Sequence, residues 1–285
     1  MDEKIFCAEM KGSFISNEPW EGVIQSIYSK AVNLLHPSGL LISLVDSIDN
    51  MTDFGLAIAD FSLLIPKIST GSHFLWEGSQ IIFSDIIVDI SGASEWFGTL
   101  LKDSFNNSPD IASLKNVFNN LASDDGFSPV ITNKAGNIYS NAADKLIEKA
   151  IKKAVVNGNI SNGVLLDLSK LVGMGIGFTP SGDDFLTGVM LYEAMFGVNL
   201  INRASIRAKL IGTTEGGRTL LTLALENSFP FYLKQFAGSI LIGKFPSEDT
   251  VGRALMHGST SGSDALTGFL WAAEKNEKNS LINLT

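Results

Sequence analysis

Two stretches of this sequence share one pattern. Ser181-Gly-Asp-Asp-Phe-Leu-Thr-Gly188 and Ser261-Gly-Ser-Asp-Ala-Leu-Thr-Gly268 both read Ser-Gly-x-Asp-x-Leu-Thr-Gly, six identities in eight positions. Each places an acid three residues after a hydroxyl and then turns apolar. That is the order of a capping box with Asp in place of Glu or Gln, so each Ser is expected to cap a helix. Capping accounts for the Ser and the Asp but not for the glycines. Gly182 and Gly262 fall in the first turn, where glycine weakens a helix by up to about 1 kcal/mol relative to alanine. Gly188 and Gly268 stand two turns deeper on roughly the same face as the serines. Glycine at these places predicts close approach to the backbone, by a ligand at each helix start and by a neighbouring helix at each second glycine. The expectation is a pair of related helices crossing near Gly188 and Gly268, with their positive ends turned towards a shared cavity.

The whole chain sets limits on what that cavity can hold. Its 285 residues leave room for one large domain or two smaller ones, and 45% hydrophobic with 18% charged residues is a globular balance. A formal charge of −9, with the basic residues scattered, repels a phosphate backbone and argues against nucleic acid as a partner. A small anion remains possible, because a local site can oppose the global field. Cys7 is the only cysteine, which excludes an internal disulfide, and His36, His73 and His257 lack metal-ligand spacing. Met1 to Gly12 does not read as a signal peptide, and no segment offers the ~18 apolar residues of a membrane span, so the expected compartment is the cytoplasm.

Hydrophobic periodicity divides the chain. Leu40–Val45, Phe54–Ile58, Ser62–Ile65 and Gln80–Ile90 are short apolar runs separated by Gly-, Pro- and Asp-containing turns, and they predict strands. Gly22–Leu35 fits either a strand or a strand running into a helix. From about Ser94 the period lengthens, and helices are predicted over 108–122, 141–156, 183–196, 204–212, 218–226 and 264–275. The resulting fold class is α+β, a β-rich, barrel-like N-terminal half (1–100) packed on a mostly α-helical C-terminal half (101–285). The boundary is expected within residues 92–107.

The candidate site gathers around the motif. Thr179, Ser181, Thr260 and Ser261 supply hydroxyls, and the first-turn amides at Gly182 and Gly262 would suit an anion at a helix start. Asp184 and Asp264 are matched acids that cap or orient. Asp183 is freer, and can act as a base, bind Mg²⁺ bridging phosphate oxygens, or simply favour the helix dipole. Arg218 and Arg253 are the arginines able to clamp a carboxylate or phosphate, although solvated arginine is the commoner fate. His257 reads as a structural hydrogen-bonder. Gly173-Met-Gly-Ile-Gly177 is neither a dinucleotide fingerprint nor a P-loop, and reads as a close-approach loop feeding the helix. No Ser-His-Asp or Cys-His arrangement points to a covalent route.

Gly177-Phe-Thr-Pro-Ser-Gly-Asp-Asp-Phe-Leu-Thr-Gly188, the later Gly258-Ser-Thr-Ser-Gly-Ser-Asp264 and a weaker Gly22-Val-Ile-Gln-Ser26 leading to Ala31-Val-Asn33 resemble the AllH family, best known for a subunit of oxamate carbamoyltransferase. The resemblance implies carbamoyl transfer between an oxalurate- or oxamate-type acid and phosphate, with carbamoyl phosphate as product in the catabolic direction, and it implies partner protein subunits. Thr213–Thr219, with Glu215-Gly-Gly-Arg218, departs from the Thr-x-x-Ser stretch that the resemblance would place there. Two other readings stay open: a non-catalytic ligand-sensing or scaffold subunit, and a metal-assisted hydrolase using Asp183 and Asp184.

Overall fold

The computed structural model describes residues 4–100, 110–132, 134–156, 159–160, 164–241 and 248–282. The start of the helix expected at Ser108 and much of the expected boundary, 101–107, lie outside them. The described chain forms two compact units, one running up to Thr99 and including Ser228–Phe231, the other containing the rest.

The first unit is a β-barrel. Its strands are β1 (Lys4–Gly12), β2 (Trp20–Ile27), β3 (Ala31–Leu35), β4 (Leu41–Val45), β5 (Gly55–Ile58), β6 (His73–Glu77), β7 (Gln80–Phe83), β8 (Ile86–Asp89) and β9 (Ser94–Trp96). Their order is β5-β4-β3-β2-β6-β7-β8-β1-β9, with β5 also paired to β1. That pairing closes an eight-stranded barrel. β1 closes it by splitting its length: Lys4–Cys7 run parallel to β8, and Ala8–Lys11 run antiparallel to β5 past a register shift. Alternation decides which side chains point inward. In β6 the sequence His-Phe-Leu-Trp-Glu buries Phe74 and Trp76 and exposes the residues between, and β7 and β8 continue the pattern through Ile81, Phe83, Ile86 and Val88. Trp20 stacks on Trp76 with ring centroids 5.5 Å apart.

Two strand readings change. Phe61–Leu64 is a short helix, α1, continued by a 3-10 turn over Ile65–Lys67, so the run predicted as a strand at Ser62–Ile65 is helical. Pro66 lacks the N–H that a strand ladder needs, and Asp60 enters at φ 53, a turn conformation. Gly22–Leu35 becomes β2 and β3 without a helix, because Tyr28–Lys30 turn the chain and Val32 and Leu34 alternate into the core.

A buried carboxylate ties the loops of this unit together. Asp53, fully buried, accepts hydrogen bonds from Gly98 N at 2.9 Å, Ser13 Oγ at 2.9 Å and Ser228 Oγ at 2.6 Å. Asp53→Ala would leave the Gly98 and Ser228 donors buried and unpaired, at about 1–3 kcal/mol each. The variant should lose at least about 2 kcal/mol in urea unfolding followed by tryptophan fluorescence.

The second unit is helical. It contains α2 (Ile111–Leu121), α3 (Ile138–Ala154), a two-stranded ribbon (Val155–Val156 with Asn159–Ile160), α4 (Ser181–Phe196), α5 (Arg203–Arg207), α6 (Glu215–Leu225), α7 (Phe231–Leu241), α8 (Glu248–Leu255) and α9 (Ser261–Ile282). Every residue of α4 from Ser181 to Met195 is buried, which makes it the central element. Its far end is fixed by Glu193, which accepts from Leu200 N and Ile201 N and pairs with Arg203 Nε at 2.9 Å.

α4 packs on α9, and the two motif copies cross. A Cβ on Gly188 would fall on the carbonyl oxygen of Ala265, and a Cβ on Gly268 on that of Phe185. Residues 185 and 265 are equivalent in the motif, as are 188 and 268, so the crossing is reciprocal about a local two-fold. This is the helix contact the glycines predicted. Gly188→Ala and Gly268→Ala should each cost about 3 kcal/mol or more, since backbone cannot yield as a side chain can. Gly238→Ala and Gly252→Ala, helical positions with open space around them, should be neutral or stabilise by about 0.5–1 kcal/mol. Thermal unfolding of the four variants separates these outcomes.

Candidate functional site

The crossing brings the starts of α4 and α9 together, and the hydroxyls and acids then pair across it. Ser181 and Ser261 are the first helical residues, and Pro180 occupies the cap position of α4 with no side-chain capping bond. The expected capping boxes therefore do not form. Instead the Ser261 hydroxyl lies near Asp184 of the other helix, to which Thr179 connects it, and the Ser181 hydroxyl lies near Asp264. Thr179 Oγ1 donates to Asp184 Oδ2 at 3.0 Å and lies 3.0 Å from Ser261 Oγ, and the Thr260 hydroxyl lies beside Asp264. Phe127 N donates to Asp264 Oδ1, while Asp264 Oδ2 has no hydrogen-bond partner. Thr179, Thr260 and Ser261 are partly exposed, whereas Asp184 and Asp264 are buried.

The open amide cradle expected at Gly182 and Gly262 is not there. Gly182 N donates to Met174 O at 2.8 Å, and Gly262 N donates to His257 O at 3.0 Å. The close approach that requires glycine comes from the chain itself, since a Cβ at these positions would strike the carbonyls of Leu171 and Ala254. The Gly173–Gly177 loop, with its three glycines at positive φ, folds back over the first turn of α4, so the protein's own carbonyls cap both helices. With the Gly182 and Gly262 amides occupied, the hydroxyls of Thr179, Thr260 and Ser261 are the partly exposed side-chain donors at this place.

Asp183 faces a different wall. Its Oδ1 accepts from Gly173 N at 2.8 Å and its Oδ2 from Thr213 Oγ1. It sits against Gly217, at the start of α6, where any Cβ would meet its carboxyl; Gly216 likewise lies under Phe178. Thr214 caps α6 by accepting from Gly217 N at 3.0 Å. The Gly216-Gly217 pair was the overlooked signal, because two glycines in a first turn weaken a helix unless something sits on them. Among the described residues no group of three or more His, Cys, Asp or Glu side chains is arranged to hold a metal ion. Both Asp183 oxygens accept from the protein, Oδ1 from Gly173 and Oδ2 from Thr213.

Arg218 lies on the same helix, but its Nε donates to Leu210 O at 3.2 Å. Arg253, largely exposed, pairs with Asp249 at 2.6 Å. The sequence also gave no hint of Tyr232. This buried side chain stacks on His257, with ring centroids 3.9 Å apart and planes 14° apart. It lines a cavity of about 440 Å³ together with Phe236, Thr250 and Arg253. Burial, then the charges of Asp184 and Asp264, hold its phenol well above the usual range, which places Tyr232 within electrostatic reach of both acids.

Burial dominates the electrostatics of the acids. It pushes Asp183 up to about 6 against the Thr213 and Gly173 hydrogen bonds, and Asp264 up to about 6 against Phe127, Ser181 and Thr260. Asp184 is raised well above the ordinary range by burial and then by the neighbouring charge of Asp264, which outweigh the Ser261 and Thr179 hydroxyls. A buried carboxyl raised in this way by desolvation and a neighbouring acid is suited to holding a proton.

A closed barrel joined to a helical unit with twinned Ser-Gly-x-Asp helix starts defines a class of two-part α+β proteins. Residues 3–95 match the model of the AllH family N-terminal domain, and residues 171–273 match that of the oxamate carbamoyltransferase subunit AllH. The chain belongs to the AllH family. Neither a curated protein nor a solved structure matches it. Among the described residues no helix is long and apolar enough to cross a membrane.

Asp183 and Asp264 keep their protons longer in the folded chain than at the unfolded value of 3.8. The contribution of these two carboxyls to folding is therefore greatest below about pH 4 and is lost as pH rises through 6, by about 3 kcal/mol per carboxyl. Asp183→Asn and Asp264→Asn should each flatten the fall of urea-unfolding free energy between pH 4 and 7.

Proposed function

We propose that this chain is a carbamoyltransferase subunit that binds an oxalurate- or oxamate-type acid and carbamoyl phosphate or phosphate at the paired helix starts. The carrying observation is the placement of two buried acids at the paired helix starts, Asp184 accepting from Thr179, which also meets Ser261, and Asp264 near Ser181 and Thr260. In the catabolic direction a phosphate oxygen attacks the ureido carbon, the C–N bond breaks, and the departing oxamate nitrogen needs a proton. A carboxyl of the Asp184–Asp264 pair supplies it. In the reverse direction the same pair takes the proton as the amide nitrogen attacks carbamoyl phosphate and phosphate leaves. Protonated at neutral pH, an acid of this pair also tolerates an anionic substrate that a carboxylate would repel.

Thr179, Ser181, Thr260 and Ser261 orient the substrate by hydroxyl hydrogen bonds, Asp183 fixes the Gly173 loop, and Arg218 stands by as a carboxylate clamp. Gly182 and Gly262 allow the helix starts to be covered closely by backbone. Partner subunits complete the assembly. The family description supports the carbamoyltransferase assignment, and the acid pair supports a proton-handling role within it.

Asp184→Asn, assayed in the assembled enzyme with oxamate and carbamoyl phosphate, should lower kcat by about 10²–10⁴. Thr179→Val with Ser261→Ala should raise KM instead. Undiminished turnover in Asp184→Asn, with carbamoyl phosphate binding lost only in the hydroxyl variant, would reassign the chain as a ligand-sensing subunit.

A further inference from the structure

A second cavity lies behind the first turn of α4. It measures about 180 Å³, and its floor is formed by Leu146 and Ala150 of α3 with Leu168 and Leu171. An apolar space of about 150 Å³ is enough for one benzene ring. Three lysines also line it, Lys149 and Lys153 from α3 and Lys170 from the turn Ser169–Leu171.

The charges are not explained by the fold. The chain is acidic, with 30 carboxylates to 21 Lys and Arg. Among the described residues Lys149, Lys153 and Lys170 form no ion pair within 4.0 Å, as is true of most of the other lysines, and it is their convergence on one cavity that sets them apart. Lys149 and Lys153 are four residues apart on one helix face, a like-charge spacing that weakens an isolated helix. Lys153 at the helix C-terminus is favoured by the dipole, but that does not account for Lys149 or for Lys170 on another element. Asp167 is the one carboxylate of the lining. It lies within electrostatic reach of Lys153, but its Oδ1 accepts from Ser169 N and Ser205 Oγ.

The geometry points to a binding site for a small amphiphilic anion, an apolar body of about benzene size bearing one carboxylate or phosphate held by the three lysines. The site backs onto the motif. Leu171, part of its floor, places its carbonyl against Gly182, and two residues on, Gly173 N donates to Asp183. An occupant would press on the short segment that positions Asp183, and such binding is independent of whether the chain transfers a carbamoyl group.

Benzoate titrated into the full chain, followed by calorimetry and ¹⁵N NMR, tests this. Benzoate should bind saturably and shift the Gly173 amide. Inorganic phosphate, which lacks the apolar body, and benzyl alcohol, which lacks the charge, should each bind at least about tenfold more weakly. Lys149→Glu with Lys153→Glu, exposed positions on α3, should fold normally and weaken benzoate by at least about tenfold. Absence of saturation up to about 10 mM, equal binding of benzyl alcohol or phosphate, or unchanged affinity in the folded double variant would overturn the assignment. Saturable binding that leaves the Gly173 amide unmoved would overturn its link to Asp183.

Discussion

Backbone touching backbone where α4 crosses α9 is the contact on which the helical unit depends. Gly188 lies on the carbonyl of Ala265 and Gly268 on that of Phe185, so the two helices approach as closely as the chain allows. Such contact brings Cα–H groups against carbonyl oxygens and maximises dispersion, compensating in packing for the helix propensity that glycine gives up. Its second effect is positional. Because the two helices run in the same direction, crossing within two turns of their starts also brings those starts together, and the motif has placed a Ser, a Gly and an Asp there on each.

At the paired starts, desolvation competes with hydrogen bonding. Asp184 and Asp264 are removed from water and face each other's charge, and the hydroxyls and the Phe127 amide offered to them do not offset that loss. The result is carboxyls that keep their protons to higher pH than a solvated aspartate does. Asp53, in the barrel unit, shows the contrasting use of a buried acid. It is ringed by Gly98, Ser13 and Ser228 donors and serves as a structural tie.

Much of this was legible in the sequence, and the omissions have physical causes. The motif repeat and its spaced glycines announced the crossing, because glycine in a helix interior needs a reason. The same logic misassigned Gly182 and Gly262 to a ligand, since a sequence cannot say whether the approaching atom belongs to a guest or to a distant carbonyl such as those of Leu171 and Ala254. Capping logic failed for a related reason: a Ser followed by an Asp three residues later looks the same whether the pair serves its own helix or trades with a neighbour. In the barrel, apolar runs such as Leu41–Val45 and Gln80–Ile90 were clear. β1 and β6 were overlooked because alternation with charged residues, as in Lys4–Gly12 and His73–Glu77, dilutes their hydrophobicity. Tyr232 carried no local signal at all; only α7 stacking it on His257 brings it to the acids.

The coupled acid pair can be observed directly by ¹³C NMR titration of the aspartate carboxyl carbons, with Asp184 and Asp264 assigned by substitution. The account predicts that both resonances titrate well above 4, in overlapping steps, and that replacing Asp264 with Asn moves the Asp184 midpoint. Two independent titrations near 4, each indifferent to the loss of the other residue, would contradict it.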